Sequence, residues 1–298
     1  MREKITEVLK RGEIVISDGA IGTMLQAKGL AGGTMPEAWN LENPEAVMEV
    51  HRAYVAAGAQ SITTNTFGGN RIRLQEGGLA DRLPEINWRA VLLAKEAAGD
   101  RAWVAASVGP TGHLLEPLGD LSIAQAEAIY AEQISLLAEA GADVILLETH
   151  HDIEEACCAL RMAKAYTNLP VFCSFAFDAR GRTMMGLRPE VAARRIQEEG
   201  GDAVGANCGS GPAAILAALE KMHGATDLPL IAQSNAGIPQ VGAAHETVWD
   251  VTPEQLAAHI QTFIALGARF IGGCCGTTPA HIAAIVAAVR GGQRDLSH

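Results

Sequence analysis

The feature that most constrains the fold is a repeated pattern, in which a helical stretch ends in glycine and a short apolar strand follows. It occurs as AAGAQSITTNTF, EAGADVILLET, EEGGDAVGANC and ALGARFIGGCC, with glycines at Gly58, Gly141, Gly200, Gly201 and Gly267. Glycine directly after a helix takes the left-handed conformation that ends it. An apolar run after that glycine is typical of a buried parallel strand. The repeat therefore predicts βαβ units.

Eight such strands are predicted along the chain. They lie near residues 13–17, 61–66, 103–108, 143–148, 171–177, 203–207, 229–234 and 269–273. Seven amphipathic helices connect them and an eighth follows at 279–290, with starts marked by Asn43-Pro44, Thr252-Pro253 and Thr278-Pro279. Eight βα units predict an α/β protein with a (β/α)8 TIM barrel, and a doubly wound open sheet is the alternative. No linker or composition break divides the sequence, so residues 1–298 are expected to form a single barrel domain.

Composition and charge exclude several classes of function. The net charge is −11 and no basic stripe is visible, so nucleic-acid binding is not expected. The opening segment MREKITEVLKRGE is charged, which predicts no signal peptide, and no apolar run reaches the length of a membrane span. A cytoplasmic protein is expected. Its six cysteines would stay reduced there, which favours metal binding or catalysis over disulfides.

Three of the cysteines follow predicted strands, at the end of a barrel where chemistry is found. Cys208 ends the sixth strand, and Cys274 and Cys275 end the eighth. The two strands are near neighbours around a barrel, and flanking glycines let the backbone turn both adjacent sulfurs toward one point. Three thiolates with one open position are typical of a catalytic zinc site. The alternative is that these are inert buried residues.

The remaining cysteines and a histidine pair are expected to be structural. Cys157 and Cys158 lie within the helix after the fourth strand, and Cys173 lies inside the fifth strand. None of these three is at a strand end, so we expect buried, inert thiols. His150 and His151 follow the fourth strand and are expected in a surface loop or at a helix start rather than at a metal.

Polar motifs recur at the predicted strand ends, and together they resemble those of the homocysteine S-methyltransferase family. The matching stretches are SDGAIGT at 17–23, TNTFGGN at 64–70, GPTG at 109–112, LLET at 146–149, GANCGSGP at 205–212 and GGCCGTTP at 272–279. They span nearly the whole chain in order. The resemblance implies a zinc-containing (β/α)8 barrel, in agreement with the fold predicted from the strand pattern.

The resemblance also implies a ligand set and a reaction. By it, Cys208, Cys274 and Cys275 are the ligands of Zn²⁺, and the sulfur of homocysteine is the fourth ligand. Free homocysteine is mostly a protonated thiol at neutral pH, and zinc removes that obstacle. The sulfur then displaces the leaving group of a methyl donor, which gives methionine.

Four further residues are assigned to the substrate site. Asp18 and Glu148 are expected to bind the ammonium group of homocysteine, although Asp18 also suits a turn and Glu148 a helix N-terminus. Asn235 is predicted to be the fourth zinc ligand when substrate is absent, although Asn-Ala-Gly is also an ordinary turn. Thr66, within TNTFGGN, is placed in the same substrate site.

The methyl donor is predicted from local sequence. GPTG followed by EPLGDLS at 116–122, with GGCCGTTP, most resembles the homocysteine-binding module of cobalamin-dependent methionine synthase. In that branch the methyl group comes from methylcobalamin. The betaine-using branch has tyrosine where this chain has Thr149, so the aromatic cage that a quaternary ammonium needs is poorly supported. The branch that uses S-methylmethionine or S-adenosylmethionine, typically with Gly-Pro-Tyr-Gly, is the alternative.

A corrinoid donor would have to be supplied by a partner, because the sequence contains no Asp-x-His-x-x-Gly corrinoid motif and no folate module. A separate corrinoid-carrying protein is therefore expected. Two other classes of function are less consistent with the sequence. A hydrolase on the same barrel is disfavoured by the all-thiol ligand set. A non-catalytic, zinc-stabilised module that binds a corrinoid protein would not need the Asp18 and Glu148 pair.

Overall fold

The computed structural model describes residues 3–242 and 247–295. Eight strands build the barrel, and two more form a separate hairpin. The barrel strands are β1 (Val15–Ile16), β2 (Ser61–Thr63), β3 (Trp103–Val108), β4 (Val144–His150), β5 (Val171–Phe175), β6 (Ala203–Cys208), β7 (Leu230–Ser234) and β10 (Ala268–Gly273). The hairpin consists of β8 (Pro239–Val241) and β9 (Thr247–Trp249), which pair antiparallel.

The strands alternate with helices along the chain. The helices are α1 (Ile5–Lys10), α2 (Gly22–Ala27), α3 (Trp39–Glu42), α4 (Pro44–Ala57), α5 (Arg71–Glu76), α6 (Leu83–Ala98), α7 (Ile123–Glu139), α8 (Ile153–Tyr166), α9 (Pro189–Glu198), α10 (Pro212–Met222), α11 (Pro253–Ala257), α12 (Ile260–Ala265) and α13 (Pro279–Asp295). Two 3-10 turns lie at Pro36–Ala38 and Ala80–Arg82.

The barrel strands form one parallel sheet that returns to its starting strand. Their order is β1-β10-β7-β6-β5-β4-β3-β2, and every adjacent pair is parallel. A parallel bridge between Ser17 and Ser61 joins the two end strands. An open doubly wound sheet would leave those two strands apart. The predicted (β/α)8 barrel is confirmed, and the open sheet is wrong.

Alternate side chains of the strands pack on opposite faces of the sheet, as the pleat requires. Val15, Phe172, Phe270 and their inward-facing neighbours fill the barrel interior, where the rings of Phe172 and Phe270 meet edge to face at 5.3 Å. Helix α1 packs its apolar side chains against this interior cluster at the amino-terminal end. The other face of the strands forms a larger core with the surrounding helices. The apolar interior cluster is thus covered by α1 at the amino-terminal end of the barrel, and the polar strand ends lie at the carboxyl end.

The glycines and caps act as the sequence pattern predicts. Gly58, Gly141 and Gly267 have φ angles of 103°, 99° and 99°, in the left-handed region that ends a helix. The Thr252 side chain forms a capping box with Gln255 at the start of α11. The connection from β7 to β10 differs from the single predicted helix, because it contains the hairpin and two short helices. Within the described part of the chain, no helix has both the length and the apolar character to cross a membrane.

The close contact of β6 with β7 gives a stability prediction. A Cβ atom at Gly205 would lie 2.1 Å from the backbone oxygen of Ile231 on the neighbouring strand. Gly205→Ala should therefore lower the free energy of unfolding by about 1–3 kcal/mol, because the two strands must move apart. Gly32→Ala is the control, since a Cβ there meets no atom within 4 Å. Equal denaturant midpoints for the two variants would contradict the expected strain.

Candidate metal centre and substrate cavity

A cavity of about 580 Å³ opens at the carboxyl end of the barrel strands. Polar and thiol side chains from the strand ends form its floor. Six of the seven residues predicted from the sequence line it, namely Asp18, Thr66, Glu148, Cys208, Cys274 and Cys275. Asn235 is not among the lining residues, although it lies directly after β7. The fold thus gathers residues from five strand ends around one space.

The three predicted thiols converge in this cavity. The Sγ atoms of Cys208, Cys274 and Cys275 all lie within 4.8 Å of one another. Cys208 Sγ is 2.7 Å from that of Cys274 and 3.9 Å from that of Cys275. No other group of three or more metal-ligating side chains is found in the part of the chain that the structure describes. This cluster could hold a metal ion.

The backbone around the thiols explains how two adjacent cysteines reach one point. Cys274 N–H donates to the Ser234 carbonyl at 2.7 Å, and the Cys275 carbonyl accepts from Ala236 N–H at 2.9 Å. Both cysteines are therefore tied to the end of β7. Cys208 has a φ angle of 59°, in the left-handed region that few residues other than glycine adopt. These local departures from strand geometry turn the three sulfurs inward.

The three thiols do not share charge equally when no cation is bound. The neighbouring thiols of Cys208 and Cys274 lower the pKa of Cys275 to about 3. The pKa of Cys274 is raised by the sulfurs of Cys208 and Cys275 and by burial. A negative charge on one of the three sulfurs therefore disfavours a negative charge on the other two. Ionising all three thiols requires a positive charge among them.

The other three cysteines lie outside this cluster. Cys157 and Cys158 are buried on α8, and Cys173 is buried within β5. Burial raises the pKa of each thiol, so all three are protonated at neutral pH. Their position matches the expectation that they are packing residues.

Asp18 is a buried carboxylate held by its neighbours rather than a surface turn residue. Only 1% of its surface is exposed. It accepts a 2.8 Å hydrogen bond from Thr63 N–H and further bonds from the hydroxyls of Thr63 and Ser17. Burial raises the pKa of Asp18 to about 7, with a further contribution from the charge of Glu148. A positive ligand at this position would favour the ionised form.

Glu148 belongs to β4 and lies away from the first turn of the following helix. Helix α8 begins at Ile153, so the alternative of a helix N-terminal acid does not apply. The carboxylate accepts a hydrogen bond from the Ser107 hydroxyl. Burial raises the pKa of Glu148 to about 7, assisted by the negative charge of Cys275. Its environment therefore resembles that of Asp18.

Few positive charges face these acidic groups. Among the described lining residues, Arg73 is the only basic side chain, and it pairs with Glu76 at 2.7 Å. The cavity lining therefore holds three carboxylates, Asp18, Glu37 and Glu148, and three thiols, against one guanidinium that already pairs with Glu76. A cavity of this kind attracts cations, including both metal ions and ammonium groups.

Thr66 and Asn235 have different roles in the geometry. The Thr66 hydroxyl donates to the Ser107 carbonyl at 2.7 Å and lies 2.6 Å from the hydroxyl of Thr64, so it is already engaged. Asn235 donates from Nδ2 to the Gly209 carbonyl at 2.7 Å. Its Oδ1 atom is buried and has no hydrogen-bond partner. Asn235 thus offers one buried acceptor atom directly after β7.

Three residues that support the site were missed by the sequence reasoning. Thr63 and Ser107 hold the two carboxylates, and Asn207 links the ends of β4, β5 and β6. Each is a small polar residue in or directly beside an otherwise apolar strand. Their position in the sequence could have indicated this role, since a polar side chain inside a barrel needs a hydrogen-bond partner.

The histidine prediction was wrong for His150. A register shift in the pairing of β4 with β5 extends β4 to this residue, which is fully buried instead of lying in a surface loop. Burial lowers the pKa of His150 to about 4, so the ring is neutral. His151 lies just before Asp152, the N-cap of α8, which agrees with a helix-start position.

Curated relatives of the chain include two mycobacterial methionine synthases. The chain is 33% identical to methionine synthase of Mycobacterium tuberculosis over 308 aligned residues, which cover 96% of this chain and 26% of that protein. It is 31% identical to methionine synthase of Mycobacterium leprae, with 93% of this chain and 24% of that protein covered. The chain thus spans about a quarter of the length of these relatives.

A solved structure and a family model match almost the whole chain. The metallated form of the homocysteine methyltransferase MmuM from Escherichia coli superposes with a TM-score of 0.80 at 28% identity, covering 94% of this chain and 98% of that one. The homocysteine S-methyltransferase family model matches residues 15–289. Fold, strand-end residues and these matches agree, and the chain belongs to the homocysteine S-methyltransferase family.

Proposed function

We propose that the chain transfers a methyl group to the thiol of L-homocysteine, giving methionine, with zinc held by Cys208, Cys274 and Cys275. One observation carries the proposal. The three sulfurs lie within 4.8 Å of one another in the same cavity as the carboxylates of Asp18, which is buried, and Glu148, which is half-buried. A thiol substrate that also carries an ammonium group would match both the sulfur cluster and the carboxylates of that cavity.

The donor set fits zinc. Sulfur ligands favour zinc over magnesium, calcium or manganese, and three protein ligands leave a fourth position for a substrate. The unpartnered Oδ1 of Asn235 would fill that position when substrate is absent. When bound, zinc would supply the positive charge that keeps the substrate sulfur as a thiolate at neutral pH.

The protein's own groups bind and orient the substrate. Asp18 and Glu148 pair with its ammonium group, which favours their ionised forms and relieves the cost of burying two carboxylates. Thr63 and Ser107 fix the direction of these carboxylates through their hydrogen bonds. Thr66 shapes the wall of the cavity, since its hydroxyl is bound to the backbone. The thiolate then attacks the methyl carbon in line with the bond to the leaving group.

The methyl group is proposed to come from a methylated corrinoid, carried by a partner protein. The two relatives named methionine synthase, the EPLGDLS segment and Thr149 in place of tyrosine support this donor. We propose residues 1–298 as one barrel domain. The cytoplasm is the proposed location, because a reducing compartment keeps three neighbouring thiols available for metal.

A sulfonium donor, S-methylmethionine or S-adenosylmethionine, is the second candidate. This candidate is supported by the E. coli homocysteine methyltransferase, of whose structure the chain covers 98%. A donor that is a free small molecule needs no further domain. The non-catalytic corrinoid-binding module has less support, because such a module needs no pair of carboxylates in a cavity.

The donor assignment is tested by methionine formation from L-homocysteine with the zinc-loaded chain. Methylcobalamin, S-methylmethionine, S-adenosylmethionine and betaine are supplied in parallel, each with a zinc-stripped control. Zinc-dependent methionine formation with methylcobalamin alone is expected. Turnover with a sulfonium donor would support the second candidate, and no turnover with any donor would count against the chain acting on free donors.

The metal ligands are tested by zinc content. Ala in place of Cys208, Cys274 or Cys275 should reduce bound zinc well below one per chain and abolish methyl transfer, because two thiolates hold zinc weakly. Circular dichroism should show a folded barrel. Cys157→Ala is the matched control, since this thiol is buried on α8 outside the cluster, and it should keep zinc. Full zinc and activity in a cluster variant would refute the assignment.

The ammonium site is tested with Asp18→Asn. The variant should bind homocysteine about 10- to 100-fold more weakly, because a hydrogen bond to a charged group contributes roughly 1.5–3 kcal/mol. Calorimetry on the zinc-loaded chain measures the change. The control ligand is 4-mercaptobutyrate, which lacks the amino group and should bind both chains alike.

The same carboxylate predicts a pH dependence. Since the pKa of Asp18 is raised to about 7, raising the pH from 6 to 8 converts it to the ionised form that an ammonium group requires. Homocysteine affinity of the native chain should therefore rise over this range. The rise should be smaller in Asp18→Asn, where Glu148 and the homocysteine thiol still titrate but residue 18 does not. Parallel pH profiles for the two chains would contradict the role of Asp18.

A further inference from the structure

Asn207 is the buried residue through which the two halves of the site are connected. It lies directly before Cys208 on β6 and has no exposed surface. Its Oδ1 accepts from Thr149 N–H at 2.9 Å and from the Ser174 hydroxyl at 2.9 Å. Its Nδ2 donates to the Thr149 hydroxyl at 2.7 Å and lies 3.8 Å from Cys274 Sγ. One carboxamide therefore contacts the ends of β4, β5 and β10.

Thr149 lies in β4 but is not among the residues that pair with β5, and its N–H and hydroxyl bond to the Asn207 side chain instead. The register of β4 against β5 shifts between Leu147 and His150, so Thr149 lies in an irregular segment. Its φ angle is 63°, in the left-handed region that is strained for a residue other than glycine. Asn207 bonds both the N–H and the hydroxyl of Thr149. Glu148 directly precedes Thr149 in β4, so the conformation held at Thr149 bears on the backbone that carries the Glu148 carboxylate.

The contact to Cys274 acts on the sulfur cluster. In the described ranges 3–242 and 247–295, Asn207 is the only side chain other than cysteine that hydrogen-bonds to one of the three sulfurs. An N–H group directed at a thiolate stabilises its negative charge. Three thiolates with one divalent zinc would carry a net charge of −1, so such a donor also moderates the charge of the loaded centre.

We infer that Asn207 is a positioning residue that couples the metal half of the site, at Cys274, to the ammonium half, at Glu148. The inference rests on the proposed function. The side-chain amide of Asn207 would thus set both the direction of the Glu148 carboxylate and the environment of the Cys274 sulfur. A homocysteine molecule that spans the two halves then meets both at a fixed separation.

The metal half is tested with the cobalt(II)-loaded chain, whose thiolate-to-cobalt absorption band reports on the sulfurs. Asn207→Asp keeps the size of the side chain and its acceptors but removes both N–H donors. It should retain one cobalt per chain, shift the band, and bind homocysteine roughly tenfold more weakly by calorimetry. Ser174→Ala is the matched control, because it leaves both Nδ2 contacts in place and should keep the native band and affinity.

The substrate half is tested with Thr149→Ala, which removes the hydroxyl bonded by Asn207 and leaves the contact to Cys274. It should keep the native cobalt band and lose homocysteine affinity, a split that a general loss of stability would not produce. This variant also keeps the test decisive if Asn207→Asp does not fold. A native band in Asn207→Asp, or native affinity in Thr149→Ala, would overturn the coupling. A native chain that binds cobalt but no homocysteine would instead overturn the proposed function and the coupling with it.

Discussion

Unbalanced negative charge at the carboxyl end of the barrel is the constraint on which the site depends. The carboxylates of Asp18, Glu37 and Glu148 line the cavity there with three thiols, and the one basic residue among the described lining residues is already paired. The pKa values of Asp18 and Glu148 are raised in response, and so is the pKa of Cys274. Ligands must supply the missing positive charge. The fold forms without a ligand, but its acidic cavity would be balanced in charge only when a cation or an ammonium group is bound.

Irregular backbone occurs where this charge is gathered. In the described chain, Thr149 and Cys208 are the two residues other than glycine with positive φ angles. Both lie at strand ends that line the cavity, and Asn207 adjoins one and bonds the other. The strands that carry these two residues, β4 and β6, are paired in parallel with neighbours on both sides. This pairing restricts the backbone at the strand ends and so stabilises the two conformations. Among the described residues, positive φ angles other than those of glycine therefore occur only beside the cavity that we propose as the substrate site.

The sequence predicted the barrel and the meeting of the thiols, because both follow from periodicity and from the rule that strand ends share one face. Cys208 and Cys274 needed only the order of strands to be placed together. The role of Asn207 could not be predicted in this way, since it depends on which residues the register brings opposite one another. The misplacement of His150 has the same origin. A register shift that extends β4 by two residues has no signature in hydrophobic periodicity.

The proximity of Cys208 and Cys274 has a further chemical consequence, which concerns oxidation. A thiolate that loses electrons to an oxidant forms a sulfenic acid, and a neighbouring thiol condenses with it to a disulfide. Sulfurs 2.7 Å and 3.9 Å apart are close enough for that condensation. A bound cation occupies the lone pairs that an oxidant would attack. Metal loading would thus protect the same thiols, and a chain that lost its metal in air would need a reductant before it could take up metal again.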